Sequence, residues 1–270
     1  MIKKIGTNLY LLAFLNGLIL ANLYYFRTED LYERDLFTAI VQNVKLSLKT
    51  ENKDTFLVHA VRMTHELLHE RQDIFQNAQI ATITDGNYFQ SVRKDLMAAK
   101  GSCGSNAKVL ARILKANACE VRIGQMTVNN SFGAHIVVET KINNNWAIVD
   151  PLYNVYFRNP NGSLASFKDV QKNWAYFKNQ TPPNYDSAYK YEGIRYTNWN
   201  KIPVILPFVK KVLDVTMGKE KADEISIRPK VLRIHHILFI IGTAFYILLT
   251  SFTFWLIYQK RKVLPNGSKN

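Results

Sequence analysis

The most apolar stretches of this chain lie near its two ends. Ile5 to Phe26 holds no charged residue, although Asn8, Asn16 and Asn22 dilute it, and Lys3-Lys4 stand just before it. Ile237 to Tyr258 is equally free of charge, more apolar, and closed by Gln259-Lys260-Arg261-Lys262. Each run matches the roughly 20 residues a helix needs to cross a bilayer. The pattern predicts a transmembrane anchor over 5–26 and a transmembrane helix over 234–258. The anchor is expected to stay uncleaved, because Ile19 stands where an A-x-A cleavage site near Ala21 needs a small residue.

Between the runs the periodicity changes twice. Leu36, Ile40, Val41, Val44 and Leu48, then Val58, Val61, Leu68 and Phe75, recur at helical spacing and predict a helical lead-in over 27–79. After Gly101, with Ser102 as cap, the series Cys103, Ala107, Leu110, Ala111 and Leu114 predicts a helix with Cys103 in its first turn, on the inward stripe; Lys108, Arg112 and Lys115 lie elsewhere on the wheel. Val121–Val128, Ala134–Ile142 and Trp146–Val149 alternate as strands, separated by Asn129–Gly133 and Asn143-Asn144-Asn145. A short helix is expected from Phe167, and the Tyr-, Asn- and Pro-rich stretch 182–207 reads as irregular packing. A helix followed by an antiparallel meander gives an α+β domain over 80–200. Residues 201–233 form a membrane-proximal segment in which Val204 to Val215 is amphipathic, and 259–270 is a basic tail.

Composition narrows the function classes. With 47% hydrophobic and 21% charged residues the chain reads as globular, not disordered. The formal charge of +14 is drawn partly from Lys3, Lys4, Lys260, Arg261, Lys262 and Lys269. No nucleic-acid motif accompanies it, so membrane lipid is the expected partner of the basic ends and no nucleic acid is expected. The basic ends predict both termini in the cytoplasm and the intervening domain outside it, although Arg228, Lys230 and Arg233 weigh the other way. Two cysteines, Cys103 and Cys119, exclude a disulfide-dense scaffold. A bridge between them would silence thiol chemistry.

A thiol at a helix N-terminus is activated by the macrodipole and by free N–H groups, and Cys103 occupies that position. A nucleophile also needs a base, and the base an orienting acceptor. His135 starts one strand and Asp150 ends the next. If Ile142 pairs with Asn145, the two lie diagonally on one face; a shift of one residue would separate them.

The blocks Gly101-Ser102-Cys103, Ala134-His135-Ile136-Val137-Val138-Glu139 and Trp146 with Asp150-Pro151, together with Ala107, Leu110, Leu114 and Arg122, resemble the transglutaminase-like superfamily, over roughly 80–172. The resemblance implies a papain-like α+β fold and a catalytic triad: Cys103 as nucleophile, His135 as general base and acid, Asp150 as orienting carboxylate. It implies acyl transfer at an amide bond of a protein or peptide, with no cofactor and no metal. Gln79 and Gln90 are candidate second oxyanion donors beside the Cys103 N–H. Ile136-Val137 replaces the aromatic often found after the histidine, and Ala118 or Cys119 replaces a glycine, so substrate does not carry over. A silent binding module is the alternative from another class. A further alternative is a zinc protease, since His65-Glu66-Leu67-Leu68-His69 matches H-E-x-x-H, with Glu70 or Asp85 as available third ligands.

Overall fold

The first helix does not stop where its apolar run does. In the computed structural model, which describes residues 8–48, 52–76, 91–98 and 103–263, α1 is one helix, Leu9–Leu46. No Gly or Pro stands between Phe26 and Leu46, so the charges from Arg27 onward change which faces are buried without breaking the backbone ladder. After it come α2 (Lys53–Gln76), α3 (Val92–Ala98) and α4 (Cys103–Ala116), then β1 (Val121–Val128), β2 (Ser131–Ile142), β3 (Asn145–Asp150) and β4 (Val155–Tyr156). The chain closes with α5 (Phe167–Lys172), α6 (Trp174–Phe177), β5 (Ile194–Arg195), α7 (Ile205–Met217), α8 (Lys219–Asp223) and α9 (Ile234–Val263). It divides into two units, Met1–Glu33 with Arg233–Asn270, and Arg34–Leu232.

The first unit holds the apolar part of α1 and all of α9, both long and apolar enough to cross a membrane. Polar contacts join the two helices. Asn16 donates to Thr253 Oγ1 at 3.2 Å and accepts from Thr250 at 2.7 Å. Asp30, 2% exposed, accepts hydrogen bonds from Arg233 at 2.7, 2.8 and 3.0 Å. Its Oδ2 also lies 3.2 Å from His236 Nδ1 and 3.7 Å from Arg27.

The second unit is α+β, built on a five-stranded antiparallel sheet in the order β4-β3-β2-β1-β5. Asn129-Asn130 and Asn143-Asn144 close the two hairpins, all four residues at positive φ, the conformation that two-residue turns between twisted strands demand. Ile142 pairs with Asn145 and Val138 with Val149, the register that the His135–Asp150 diagonal requires. The β1–β2 register shifts between Met126 and Thr127, with Gly133 at φ 103° on β2. This bulge begins β2 at Ser131, earlier than the expected Ala134, and re-aims the residues that follow, His135 among them.

One face of the sheet packs Ile123, Val138, Ile142, Ala147 and Val149 against Phe37, Leu57, Leu110 and Leu114 of the helices. Arg112 belongs to that side as well. Expected off the inward stripe of α4, it is 4% exposed and lies over Phe37 at 5.0 Å, because α1 covers the flank that the wheel left polar. The other face packs Met126, Val137 and Ile148 against Phe157, Phe167, Val170 and Tyr191. The two short strands, β4 and β5, and α3 lie outside the sequence expectation.

Candidate active site

Cys103 opens α4 and is 8% exposed, so its N–H belongs to the first turn, whose donors have no intrahelical acceptor. Two contacts hold that end of the helix in place. Ser105 and Lys108 donate to the buried Asp95 carboxylate of α3 at 2.7 and 3.0 Å. Gly104 lies against β2, where a Cβ would be 3.7 Å from Ile136 Cδ1. The helix mouth therefore meets β2 one residue from His135.

His135 and Asp150 are both fully buried. His135 Nε2–H donates to Asp150 Oδ2 at 2.5 Å. The same oxygen accepts from Tyr185 at 3.2 Å, and Asp150 Oδ1 accepts from the Leu152 N–H at 3.1 Å. Tyr185 is bonded in turn to Tyr191 at 3.1 Å. The carboxylate thus has three donors, and the imidazole is turned with Nδ1 away from it. That Nδ1 is buried and makes no hydrogen bond of regular geometry, yet Cys103 lies near enough for its hydrogen bond and charge to favour the imidazolium. Burial alone would lower the His135 pKa; the hydrogen bond and charge of Asp150, joined by those of Cys103, outweigh it and raise it from 6.5 to about 9.

Tyrosines wall the site. Tyr189 stacks on the His135 ring, centroids 4.0 Å apart and 12° from parallel. Tyr153 meets Tyr185 edge-on at 4.7 Å and tilts toward His135 at 6.0 Å. Burial, then the neighbouring Tyr153, Asp186, Cys103 and Asp150, push the Tyr189 phenol up to about 12. Burial also pushes Tyr185 and Tyr191 up, so these rings act as neutral hydrogen-bond partners. A cavity of about 570 Å³ opens beyond Tyr153, lined also by Asn154, Tyr156, Arg158 and Gln180. Arg228 approaches from the 3₁₀ turn Arg228–Lys230; burial and the charge of Arg195 lower its pKa, while the charge of Cys103 raises it. Sequence reasoning missed the tyrosines and Arg228. The clustering of Tyr between Pro182 and Tyr196 was the available signal for the former; nothing in the local pattern marks the latter.

Several residues of the motif blocks are architecture. Arg122 donates to Glu139 at 2.8 Å and to Glu224 at 3.2 Å, and its guanidinium lies 3.7 Å over Trp146 and 4.4 Å over Tyr196. Glu139, 1% exposed, also accepts from Tyr196 and from the Phe167 N–H at 3.0 Å. This buried charge network joins β1, β2 and β3 to α5.

Cys119 follows α4 at its far end, with its N–H on the Leu114 carbonyl at 2.9 Å. Both cysteines are free. The 14-residue helix holds them roughly 20 Å apart along its axis, well beyond disulfide reach. Burial pushes the Cys119 thiol up.

His65 and His69 stand one turn apart on α2 with rings stacked at 5.0 Å. His65 Nδ1–H donates to the Leu152 carbonyl at 2.9 Å, which ties α2 to the segment that follows Asp150. Glu66 faces solvent beside Arg62, at 3.8 Å. Among the described residues no group of three potential ligands converges. Asp85, Gln79, Gln90, Gly101, Ser102 and the Glu70 side chain lie outside the described residues.

Comparison of the chain with protein-family models, curated proteins and solved structures finds no match.

Proposed function

We propose that this chain is a membrane-anchored, transglutaminase-like cysteine hydrolase or acyltransferase acting on amide bonds of an envelope protein or peptide. The observation that carries the reading is His135, fully buried and bonded to Asp150 Oδ2 at 2.5 Å, with Cys103 near enough to add to the raising of its pKa. A thiolate–imidazolium pair is the resting state such an arrangement stabilises.

In the proposed reaction the Cys103 sulfur attacks the amide carbonyl carbon and a C–S bond forms. The oxyanion is met by the Cys103 N–H. His135 gives its proton to the leaving nitrogen as the C–N bond breaks, which leaves a thioester. Water or an amine then attacks that carbonyl, His135 takes its proton, and the C–S bond breaks to restore the thiolate. Asp150 fixes the ring through Nε2, which leaves Nδ1 for the proton transfers, and does not itself need to exchange a proton. Two apolar helices fit a membrane anchor. The basic residues Lys260, Arg261 and Lys262 in the last turn of α9 favour cytoplasmic termini and an extracytoplasmic domain.

The complete burial of His135 beneath Tyr189 favours a second reading, a silent module that uses the same fold for binding. Competitive labelling with a thiol electrophile separates the two. The enzyme reading expects Cys103 to react much faster than Cys119 near neutral pH and to slow in His135→Ala. Equal, slow labelling of both thiols supports the silent module.

A further inference from the structure

The helix α7 is amphipathic, and its apolar side is exposed among the described residues. Val204, Phe208 and Val215 are 82%, 69% and 81% exposed, and Ile205 and Val212 are exposed with them. On a helical wheel Ile205, Phe208, Val212 and Val215 form one contiguous arc, and Val204 stands just ahead of the helix. Leu206, Lys210, Leu213 and Asp214, on the other side, are the partly covered positions. None of the helix is buried. A solvated helix of a globular domain presents the reverse pattern, apolar inward and polar outward. Singly exposed apolar side chains are ordinary, but a ridge of bulky ones along a whole helix is not.

Charge narrows the occupant. Lys201, Lys211, Lys219 and Lys221 are exposed on and around α7, and Lys210 is held on the covered side by Asp214 and by Asp223 at 3.1 Å. Lys201, Lys210, Lys211, Lys219 and Lys221 stand against Asp214, Glu220, Asp223 and Glu224 over 201–224, and Lys211 lies at the edge of the apolar arc. A ridge of Val, Ile and Phe bordered by lysines matches the acyl–headgroup boundary of an anionic lipid surface, apolar side down and ammonium groups at phosphate level. The chain then runs on into α9, one of the two helices apolar enough to cross a bilayer.

We infer that α7 lies in the plane of the membrane, with Phe208 and its neighbours inserted among the lipids as a third, non-spanning attachment. The inference rests on the reading of α1 and α9 as membrane helices, and the test keeps the two apart. A full-length Cys103→Ser, Cys119→Ser chain receives one added cysteine, Phe208→Cys, Leu248→Cys or Lys172→Cys, and each carries an environment-sensitive fluorophore. The proteins are reconstituted in vesicles of phosphatidylcholine and phosphatidylglycerol with acyl chains brominated near the headgroup, to report position 208, or near the chain end, to report position 248. Position 248, exposed on α9, reports the span, and position 172, exposed on α5, reports water. The expected result is lipid quenching at 208 roughly threefold or more above that at 172, at a depth of about 5–10 Å. Quenching at 248 with none at 208 overturns the in-plane helix and leaves the spans standing. No quenching at 248 removes the membrane reading itself and the inference with it. A label at 208 shielded from aqueous iodide but untouched by bromolipid means that protein, not lipid, covers the ridge, and also overturns it.

Discussion

Tyr189 lies flat on the imidazole of His135, ring centroids 4.0 Å apart. One face of the base of the proposed triad is thereby covered, and the Tyr189 stretch is irregular chain, not strand or helix. A ring stack of this kind contributes about 1 kcal/mol. Tyr189→Ala is expected to raise the labelling rate of Cys103 roughly fivefold, the factor such an energy represents, and to leave Cys119 unchanged. An unchanged Cys103 rate means that Tyr189 does not limit access.

Asp150→Asn removes the largest of the influences that raise the His135 pKa and leaves burial, which lowers it. With only Cys103 left to oppose burial, the imidazolium should be less favoured near pH 7 than in the wild type. Cys103 labelling at that pH is expected to fall by roughly tenfold or more, as thiolate is replaced by thiol. The loss of a partner in a fully buried pair should also cost about 3–5 kcal/mol of stability. A labelling profile that keeps its shape in this variant argues against the ion pair.

The His135 pKa also predicts how stability follows pH. The folded value of about 9 lies above the ordinary 6.5, so the folded state holds its proton more tightly than the unfolded chain. That stabilisation is fully present below pH 6.5, declines above it, and is gone once pH passes about 9. The thermal midpoint of the wild type in detergent should therefore fall between pH 6.5 and 9 more steeply than that of His135→Gln. Parallel curves for the two proteins count against it.

Glu139 carries a different expectation. It is buried with Arg122, Tyr196 and the Phe167 N–H upon it, and no atom of that network is part of the triad. Glu139→Ala strands the Arg122 charge with Glu224 alone and should cost about 3–5 kcal/mol, read as a lowered melting temperature. The preference for Cys103 over Cys119 in the fraction still folded should persist.

His65 separates support from metal binding. Its Nδ1–H holds the Leu152 carbonyl, a bond that Asn reproduces and Ala does not. His65→Asn is expected to keep the Cys103 labelling rate and His65→Ala to lower it, with no zinc recovered in stoichiometric amount from either or from the wild type. Stoichiometric zinc in the wild type, lost from both variants, would instead support the H-E-x-x-H reading.

Much of the second unit was legible because its signals are local. Paired asparagines forced the two turns, and with the turns came the register that sets His135 diagonal to Asp150. The apolar spacing after Gly101 likewise defined α4 and its first residue. What stayed hidden was set by distant partners. Arg112 is buried with Phe37 lying over it, and β5 exists through two residues paired with Gln125 and Met126. Tyr185 and Tyr189 reach the site from an irregular stretch whose path no periodicity encodes. The motif blocks also mixed two kinds of residue: Cys103, His135 and Asp150 gather at the candidate site, while Arg122, Glu139 and Trp146 build the wall behind it.

The carboxylate of Asp30 has a consequence for how this protein is made. Its strongest partner, Arg233, is 203 residues further along the chain. At about 5–20 residues per second of synthesis, roughly 10–40 seconds pass between the two. Through that interval the nascent first helix carries an acid whose nearest cation is Arg27 of its own turn. The ribosome must finish the whole of the sheet before the Asp30–Arg233 bond can lock the two long helices together, so a chain truncated ahead of Arg233 leaves that acid without its strongest partner.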